Sequence, residues 1–487
     1  MKNTTDSEIG PSNYGNTERS PSRNSVQTLL DDEKFPSPVI TGTPDLEKQP
    51  PDSEPSPATD RPVDDDDDRS HCTTIVDENG PDGEKFTYPE GGLRAWLVVF
   101  GSFCAMMAAF GVMNTVGIFQ SYLKENQLRD YDESTISWIF SVYNSLSFFC
   151  SLFIGPIFDA KGPRLLIFLG SLFTVLAFFL LGICTEYWHF MMVFGFIGGT
   201  GTSLLFTPAV SSIGHFFLKK RASATGFAAT GGSVGSVIFP LLLQPLFPKI
   251  GFAWGTRILA FILIFLCICA CLLVRSRLPP SKNANVMPDF RIFRDPAFTM
   301  VTAGVFFIEW ALFVPIAYLT SYTVSVGLSE TYSYQIVAIL GAGSCLGRLL
   351  PGIGADYIGA YNAMIITIVP CIICTLGLWL PAGGSWAMVV SFAVVFGIAS
   401  GSNISLTPVT VGKLCSIQHY GRYYATTYFI VAFGTLTGIP IAGQILAVCG
   451  GKYWGLILFT GLNYVAGLIC FMAARIIKVG WHPLKNF

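Results

Sequence analysis

The sequence predicts an all-α membrane protein whose twelve transmembrane helices form two pseudo-symmetric six-helix bundles behind a disordered N-terminal tail. Three observations predict this fold class. Only 13% of the 487 residues are charged and 51% are hydrophobic, whereas soluble domains carry about a quarter charged residues. Apolar stretches long enough to cross a bilayer recur from Leu93 onward. Several motifs occur twice, about 200 residues apart.

Residues 1–88 differ from the rest of the chain in composition and charge. They contain 20 Asp and Glu against 8 Lys and Arg, a net charge of −12, whereas residues 89–487 contain 12 acids against 22 bases, a net charge of +10. A segment so rich in Pro, Ser, Asp and Glu cannot bury enough apolar surface to offset its chain entropy. We therefore predict a disordered acidic cytosolic tail over 1–88. Because this tail has no apolar core of a signal peptide, we expect no cleaved leader.

Twelve apolar stretches of about 20 residues follow, each long enough for a helix that crosses the hydrocarbon core. A polar and basic segment over 276–296 divides them into two sets of six. We therefore expect a first bundle over 89–275, a cytosolic linker over 276–296, a second bundle over 297–477 and a cytosolic tail over 478–487. The predicted spans are 95–121, 135–157, 164–184, 187–213, 222–247, 252–274, 297–322, 332–355, 362–381, 385–411, 423–447 and 453–476.

The two sets of spans repeat each other in sequence. A Gly-x3-Asp-x2-Gly motif begins at Gly155 after the second span and at Gly352 after the eighth, an offset of 197 residues. A Thr-Pro pair begins at Thr207 in the fourth span and at Thr407 in the tenth, an offset of 200 residues. These offsets indicate a duplicated six-helix unit. Since six is even, both units cross the membrane in the same sense and are parallel repeats.

The charges of the loops predict the orientation. Positive charge is enriched in the cytosolic loops of membrane proteins. If the tail is cytosolic, five Lys and Arg fall on the opposite face and fourteen on the cytosolic face. Both termini are therefore predicted to be cytosolic. The fourteen are Lys161, Arg164, Lys219, Lys220, Arg221, Arg275, Arg277, Lys282, Arg291, Arg294, Lys413, Arg422, Lys478 and Lys485.

The loop after the second span carries a recognisable signature. It runs Gly155-Pro-Ile-Phe-Asp159-Ala-Lys161-Gly162-Pro-Arg164, which is similar to the G-x-x-x-D-x-x-G-x-[RK] signature of the major facilitator superfamily. The twelve spans, the parallel repeat and the basic central linker agree with that resemblance. It implies the major facilitator fold and transport by alternating access.

Three further motifs resemble the monocarboxylate porter family of that superfamily, especially its fungal branch. The resemblance covers residues 89–477. The motifs are Pro89-Glu90-Gly91-Gly92 with Trp96 before the first span, Phe216-Phe217-Leu218-Lys219-Lys220-Arg221 with Ala224, Gly226, Ala228 and Gly231 entering the fifth, and Gly347-Arg348 with Pro351-Gly352 and Ala355-Asp356 in the eighth.

The repeated loop motif supplies the candidate gating residues. Asp159 at a helix end can form a charge cluster with Lys161 and Arg164 on the cytosolic surface. In the superfamily this cluster stabilises one conformation between the two halves. For Lys161 the alternative is a charge that only anchors a helix end. A Gly-x3-Gly pair at 231 and 235 also predicts close approach of the fifth span to a neighbouring helix. The predicted gating residues are Gly155, Asp159, Arg164, Gly352 and Asp356.

Two charges lie deep inside predicted spans. Arg348 is eight residues before Asp356, about 12 Å along a helix and near the middle of a roughly 30 Å core. Burying arginine there costs about 2.5–3.5 kcal/mol, a cost usually retained for a function. The guanidinium can donate two parallel hydrogen bonds to a carboxylate, and the resemblance implies the same role. We therefore expect Arg348 to bind an anionic group.

Glu309 is the one acid of residues 89–487 that lies in the middle of a span. We expect it to pair with Arg348 when the site is empty and to take a proton when an anion displaces it. The alternative is a static ion pair or a hydrogen bond to a neighbouring helix.

The chain departs from the animal monocarboxylate porters in two of three charged positions. The resemblance places their first-span lysine at Asn114 and their eighth-span aspartate at Ser344. These replacements argue against simple lactate–proton symport and favour a larger, less charged substrate. Other polar or aromatic residues in helices expected to line the cavity complete the candidate site, each with helix packing as its alternative. They are Asn114, Tyr143, Asn144, Phe206, Tyr318 and Asn403.

These observations predict a secondary transporter for a small organic anion, such as a monocarboxylate or a carboxylate-bearing metabolite. The alternatives are an efflux pump for a secondary metabolite made by a biosynthetic gene cluster and, more remotely, a non-transporting nutrient sensor. The sequence contains no Ser-His-Asp set, metal-ligand cluster or nucleotide-binding loop. We therefore predict no enzyme activity, cofactor, metal or nucleic-acid partner. We expect a monomer in the lipid bilayer of the plasma membrane, with the vacuolar membrane as the alternative.

Overall fold

Twelve long apolar helices form the body of the protein. The computed structural model describes residues 75–77, 86–277, 287–328 and 330–481. Within these ranges, twelve helices are long and apolar enough to cross a membrane, which confirms the predicted fold class. Each begins and ends within six residues of its predicted span. They are α1 (Leu93–Glu125), α2 (Thr135–Lys161), α3 (Arg164–Leu181), α4 (Tyr187–Ile213), α5 (Arg221–Ile250), α6 (Phe252–Leu273), α7 (Pro296–Ser325), α8 (Gln335–Ile358), α9 (Ala360–Trp379), α10 (Trp386–Gly412), α11 (Ile417–Val448) and α12 (Trp454–Val479).

Several of these helices are not uniformly α-helical. A turn at Asn114 and Thr115 interrupts α1, and its first half ends at Met113. A kink at Cys150 divides α2. The backbone of α8 is helical from Glu330. Two π-helical stretches and two 3₁₀ turns complete the irregular parts, at Met191–Gly198, Thr375–Trp379, Phe290–Arg294 and Ile417–His419.

Most of the predicted tail over 1–88 lies outside the described residues, as do 278–286 of the predicted linker and 482–487 of the C-terminal segment. Two short stretches near the end of that tail have strand backbone, and the disorder of the tail stays a prediction. Strands β1 (Ile75–Asp77) and β2 (Phe86–Tyr88) pair in an antiparallel sheet with Ile75 opposite Tyr88. These stretches are rich in β-branched and aromatic residues, which favour strands even in a polar segment.

Glycines allow α1 and α5 to pack closely, as the Gly-x3-Gly pair predicts. A Cβ atom at Gly235 would lie 2.7 Å from the Cα atom of Gly111, and one at Gly231 would overlap the carbonyl oxygen of Phe103. No larger side chain fits between backbones at that separation. Small residues therefore set the distance between these two helices, as is common in membrane proteins.

Two helix pairs make most of the contacts between the first six helices and the last six: α5 packs along α8, and α2 packs along α11. The Ser145 hydroxyl donates to the Ala432 carbonyl at 3.3 Å and the Ser233 hydroxyl to the Ser344 hydroxyl at 3.4 Å. From there the contacts run to the end of the bundle where α2 and α8 end and α5 and α11 begin. We call this the aspartate end, because Asp159 and Asp356 lie there.

Candidate functional site

Arg348 lies on α8 where that helix packs against α5, and only 4% of its surface is exposed. Its Nη1 atom donates to the Ala229 carbonyl oxygen of α5 at 2.6 Å. Its Nε atom has no hydrogen-bond partner in the described part of the chain. A buried cation whose partner is a neutral carbonyl has lost its hydration without gaining the attraction of an opposite charge. Arg348 is therefore a buried cation with an unused hydrogen-bond donor in the described structure.

Glu309 lies on α7 with 2% of its surface exposed, and its Oε1 atom has no hydrogen-bond partner among the described residues. The predicted ion pair between Glu309 and Arg348 is absent, since no oxygen–nitrogen distance within 4.0 Å joins them where the structure describes both. The Ala229 carbonyl holds the guanidinium instead. The two charges still influence each other electrostatically. The site thus contains two buried ionisable groups of opposite sign that are near each other but not paired.

Buried side-chain atoms without a hydrogen-bond partner occur in many places within the described ranges. Among them are the Asn403 amide, the Asn144 carbonyl oxygen and the Ser203 hydroxyl. Together with Glu309 and Arg348 they come from five helices, and each lies in the middle third of its helix. Buried polar atoms in native proteins are nearly always hydrogen-bonded to protein or to ordered water. These five side chains therefore form a candidate polar site at one depth of the bundle, whose role in substrate binding stays a prediction.

An aromatic cluster lies beside the two charges. The Tyr428 ring is 5.6 Å from Phe206 and 5.2 Å from Phe148, between ring centroids, and Phe110 is 5.4 Å from Phe206. Tyr428 is electrostatically coupled to both Glu309 and Arg348. The sequence prediction includes Phe206 but misses Tyr428. The signal that was available is the spacing of tyrosines at 420, 424 and 428, which places three of them on one face of a helix.

Three predicted site residues make contacts that match the packing alternative. The Tyr143 hydroxyl shares a 2.8 Å hydrogen bond with the Thr202 hydroxyl, which joins α2 to α4. The Asn114 amide donates to the Phe110 carbonyl at 2.8 Å, at the break in α1. The Tyr318 hydroxyl donates to the Ile439 carbonyl at 3.1 Å, which joins α7 to α11. Their role in substrate binding stays a prediction.

Both aspartates of the repeated motif bind the start of a helix in the opposite bundle. Asp159 of α2 accepts hydrogen bonds from the backbone N–H groups of Gly421 (2.9 Å) and Arg422 (2.8 Å) on α11. Asp356 of α8 accepts from those of Ala222 and Ser223 on α5, both at 3.0 Å. The first N–H groups of a helix have no partner within the helix and carry its positive dipole end. Each carboxylate therefore joins the two bundles by charge-assisted hydrogen bonds.

The expected charge cluster around Asp159 is not formed. Lys161 and Arg164 are both exposed, and neither makes an ion pair within 4.0 Å in the described structure. The carboxylate oxygens of Asp159 face the start of α11 instead. Gly155 and Gly352 make room for these contacts, since a Cβ atom at Gly352 would lie 2.8 Å from the Ala222 carbonyl oxygen. The gating role of Arg164 stays a prediction.

A third carboxylate binds the segment just before α5. Glu90, with 4% of its surface exposed, accepts hydrogen bonds from the backbone N–H groups of Leu218 (2.6 Å), Lys219 (2.7 Å) and Lys220 (3.1 Å). The motif before α1 and the motif entering α5 are therefore one structural unit. Sequence comparison finds both motifs, but the backbone groups that join them carry no sequence signal.

His215 lies near this segment, between α4 and α5. One of its ring nitrogens, Nδ1, forms a 2.9 Å hydrogen bond with the Ser276 hydroxyl. Burial, with a smaller contribution from the Arg221 charge, lowers the pKa of His215 to about 3. The ring is therefore neutral over the physiological range and does not sense pH there.

Comparison with known proteins decides the family. The profile of the Major Facilitator Superfamily matches residues 98–438. The chain belongs to the major facilitator superfamily.

Relatives within the superfamily include fungal transporters of different named substrates. A transporter of Gibberella moniliformis is 35% identical over 390 residues, 80% of this chain and 92% of that protein. The riboflavin transporter MCH5 of Saccharomyces cerevisiae is 33% identical over 419 residues, 81% of this chain and 80% of the relative. The fujikurins efflux protein of Gibberella fujikuroi is 34% identical over 403 residues, 82% and 86% of the two chains.

Solved structures of the superfamily share the fold. The human organic anion transporter MFSD10 matches with a TM-score of 0.62 and 14% identity, over 78% of this chain and 99% of that structure. The Escherichia coli fucose:proton symporter FucP also gives a TM-score of 0.62, with 16% identity and the same coverage. At such identities the likeness concerns the fold alone. The protein is thus a transporter of this superfamily, and its substrate has to be argued from the site.

Proposed function

We propose that the protein moves a small organic anion, a monocarboxylate or a carboxylate-bearing metabolite, by alternating access, and that Arg348 binds the carboxylate. The observation that carries the proposal is the buried guanidinium with a free Nε atom and no acid within 4.0 Å in the described structure. A planar guanidinium matches a carboxylate with parallel hydrogen bonds. An arriving anion would offset the desolvation penalty that Arg348 bears alone.

Glu309 is the proposed proton-coupling residue. Its carboxylate is buried and has no cation within 4.0 Å in the described part of the chain. Protonation removes the penalty of burying that charge. When an anion neutralises Arg348, Glu309 loses the favourable influence of the positive charge and binds a proton more readily. One proton would then enter with each anion.

Alternating access requires that the aspartate end opens and closes. The Asp159 and Asp356 contacts hold the two bundles together at that end, and we propose that they are the gate. Rocking the bundles apart would break four backbone hydrogen bonds, two at each carboxylate. With the predicted orientation, the aspartate end faces the cytosol and both termini lie on that side. We expect this arrangement in the plasma membrane.

Export of a metabolite is the second candidate, and the aromatic cluster beside Arg348 favours it. The aromatic cluster provides planar apolar surfaces near the two buried charges, a combination that suits an aromatic acid better than lactate. It consists of Phe110, Phe148, Phe206 and Tyr428. Relatives named as fujikurins, agnestins and aspyridones efflux proteins agree with that direction.

Uptake into proteoliposomes tests the anion site. The protein is reconstituted and offered labelled pyruvate, benzoate and riboflavin, of which the last has no carboxylate. We expect Arg348→Ala to lower carboxylate uptake at least tenfold. Arg475→Ala is the matched control, because Arg475 is also buried but binds Asn362 of α9 through a 2.6 Å hydrogen bond. Carboxylate uptake that is equal in Arg348→Ala and the wild type would refute the proposed role. Loading the vesicles instead of the outer solution measures export.

A further inference from the structure

Arg221, the first residue of α5, occupies a narrow space at the centre of the aspartate end. Only 8% of its surface is exposed. Its guanidinium stacks on the Tyr420 ring, with the Cζ atom 4.0 Å from the ring centroid. Tyr420 begins the α-helical part of α11. A residue of the first bundle therefore packs directly on a residue of the second.

Two glycines form the walls of this space. A Cβ atom at Gly412, the last residue of α10, would lie 2.5 Å from Nη1 and 2.6 Å from Cζ of Arg221. A Cβ atom at Gly214, just after α4, would lie 2.6 Å from Nη2. Real Cβ atoms do not approach other atoms that closely. While the guanidinium is in place, glycine fits at positions 214 and 412, but the methyl group of an alanine does not.

The position of Arg221 relates it to the two aspartate contacts. Asp356 binds the two N–H groups directly after Arg221, and Asp159 binds the two directly after Tyr420. Arg221 and Tyr420 are therefore equivalent positions of the two repeats, 199 residues apart. Equivalent residues meet only at the pseudo-two-fold axis of parallel repeats. The guanidinium thus fills the middle of the aspartate end, between the two carboxylates.

Stacking and shape hold the guanidinium there. No acid lies within 4.0 Å of it in the part of the chain described, and its Nη2 atom has no hydrogen-bond partner there. The Tyr420 hydroxyl donates to the Pro408 carbonyl of α10 at 3.0 Å, which fixes the ring under the cation. Arginine stacks on aromatic rings through its flat face and keeps its charge.

We propose that Arg221 is the central plug of the gate, a gating residue additional to Asp159 and Asp356. When the bundles are together, the guanidinium seals the aspartate end on the axis. When they rock apart, it leaves the space between Gly214 and Gly412, and a path to the site opens. This inference rests on the proposed alternating access but does not depend on the substrate.

Alkylation of Cys415 measures the opening. Cys415 lies between α10 and α11, is half-buried, and its thiol donates to the Val411 carbonyl at 3.6 Å. Burial raises the pKa of this thiol to about 12, so we expect its reaction to speed up when the end opens and the thiol meets water. The full-length protein is treated with a maleimide without substrate, and the Cys415 peptide is quantified by mass spectrometry. The Arg221 charge lowers the pKa of this thiol. Its removal alone would slow the reaction, so a faster reaction reports opening.

We expect Arg221→Ala and Gly412→Ala each to speed alkylation at least fivefold. The double variant should react no faster than Arg221→Ala, because the added methyl group has nothing to displace once the guanidinium is gone. Gly354→Ala on α8 is the control and should not change the rate, since a Cβ atom there would meet nothing within 4 Å. If Arg221→Ala does not fold, Arg221→Met keeps the stem and removes the charge.

Two results would refute the proposal that Arg221 is the central plug. One is an alkylation rate within twofold of wild type in both single variants. The other is a Gly412→Ala effect that persists in full when Arg221 is alanine, since that places the clash elsewhere. Failure of the anion proposal is distinguishable, because it concerns uptake by Arg348→Ala and leaves these substrate-free rates unchanged.

Discussion

Neutralising Asp356 should loosen the whole aspartate end, and the size of the effect follows from its hydrogen bonds. Asp356→Asn keeps the shape of the side chain but removes the charge. The carboxylate accepts two backbone N–H groups at 3.0 Å and also the Ser223 hydroxyl, all from the opposite bundle. In the variant, one oxygen becomes an NH₂ group that faces an N–H donor.

The magnitude can be worked from these bonds. A hydrogen bond to a charged group contributes about 1.5–3 kcal/mol and a neutral one about 0.5–1.5 kcal/mol. The variant loses one of the two backbone bonds and makes the other neutral, which weakens the closed state by about 2.5–4.5 kcal/mol and shifts the balance between closed and open forms roughly 60- to 1,600-fold.

Hydrogen exchange with mass spectrometry measures this shift. The amides of Ala222 and Ser223 are protected by Asp356, and those of Gly421 and Arg422 by Asp159. If the Asp356 and Asp159 contacts belong to one interface that opens as a unit, Asp356→Asn should speed exchange at the amides of both α5 and α11. Exchange reports the population of the open form.

A distant carboxylate provides the control, and the pattern of exchange decides the outcome. Asp130→Asn should change nothing, because the Asp130–Arg129 pair is 3.9 Å apart with side chains 90% and 77% exposed. Faster exchange at Ala222 and Ser223 alone would make the contact local and refute its role in joining the bundles. Unchanged exchange at both places would refute the hydrogen-bond argument itself.

Three further predictions follow from the described residues. Glu309→Gln should abolish the dependence of uptake on an imposed pH gradient; a gradient response like that of the wild type would contradict its proton role. Gly231→Ala should lower the free energy of unfolding in detergent by about 1–3 kcal/mol through overpacking, whereas Gly117→Ala, with nothing within 4 Å of the added carbon, should leave the melting temperature unchanged. His215 has its folded-state pKa lowered to about 3, so stability should fall as pH drops below about 6.5. His215→Gln should remove that fall between pH 7 and 4.5 in thermal melts, and an unchanged fall would assign it to other groups.

The helices could be predicted from the sequence because hydropathy and length are local properties. The predicted span over 187–213 is the observed one, and the others differ by a few residues at their ends. The strands at Ile75–Asp77 and Phe86–Tyr88 were missed because they interrupt a segment whose average composition is that of a disordered chain.

Only those site residues whose side chains are unusual for their place in the sequence could be predicted. Arg348 and Glu309 stand out because charge is rare in a membrane helix, and the structure places both in the interior. The hydrogen-bond partners of Arg348 and of Asp159 could not be foreseen. The Ala229 carbonyl and the N–H group of Gly421 are backbone atoms, which every residue carries. The role that we propose for Arg221 could not be predicted either, because the positive charge of a cytosolic loop is already explained by the orientation of the chain in the membrane.

The carboxylate of Glu90 binds the segment before α5 inside its own bundle, beside the contact of Asp356 that we propose as part of the gate. When the bundles separate, the amides of Leu218, Lys219 and Lys220 keep their partner, because Glu90 belongs to the same bundle. The amides of Ala222 and Ser223 would give up Asp356, and those of Gly421 and Arg422 would give up Asp159. Each repeat would therefore expose two backbone N–H groups to water when the proposed gate opens. The segment that enters α5 would stay bound to the segment before α1 throughout, so these two parts of the first bundle would move together.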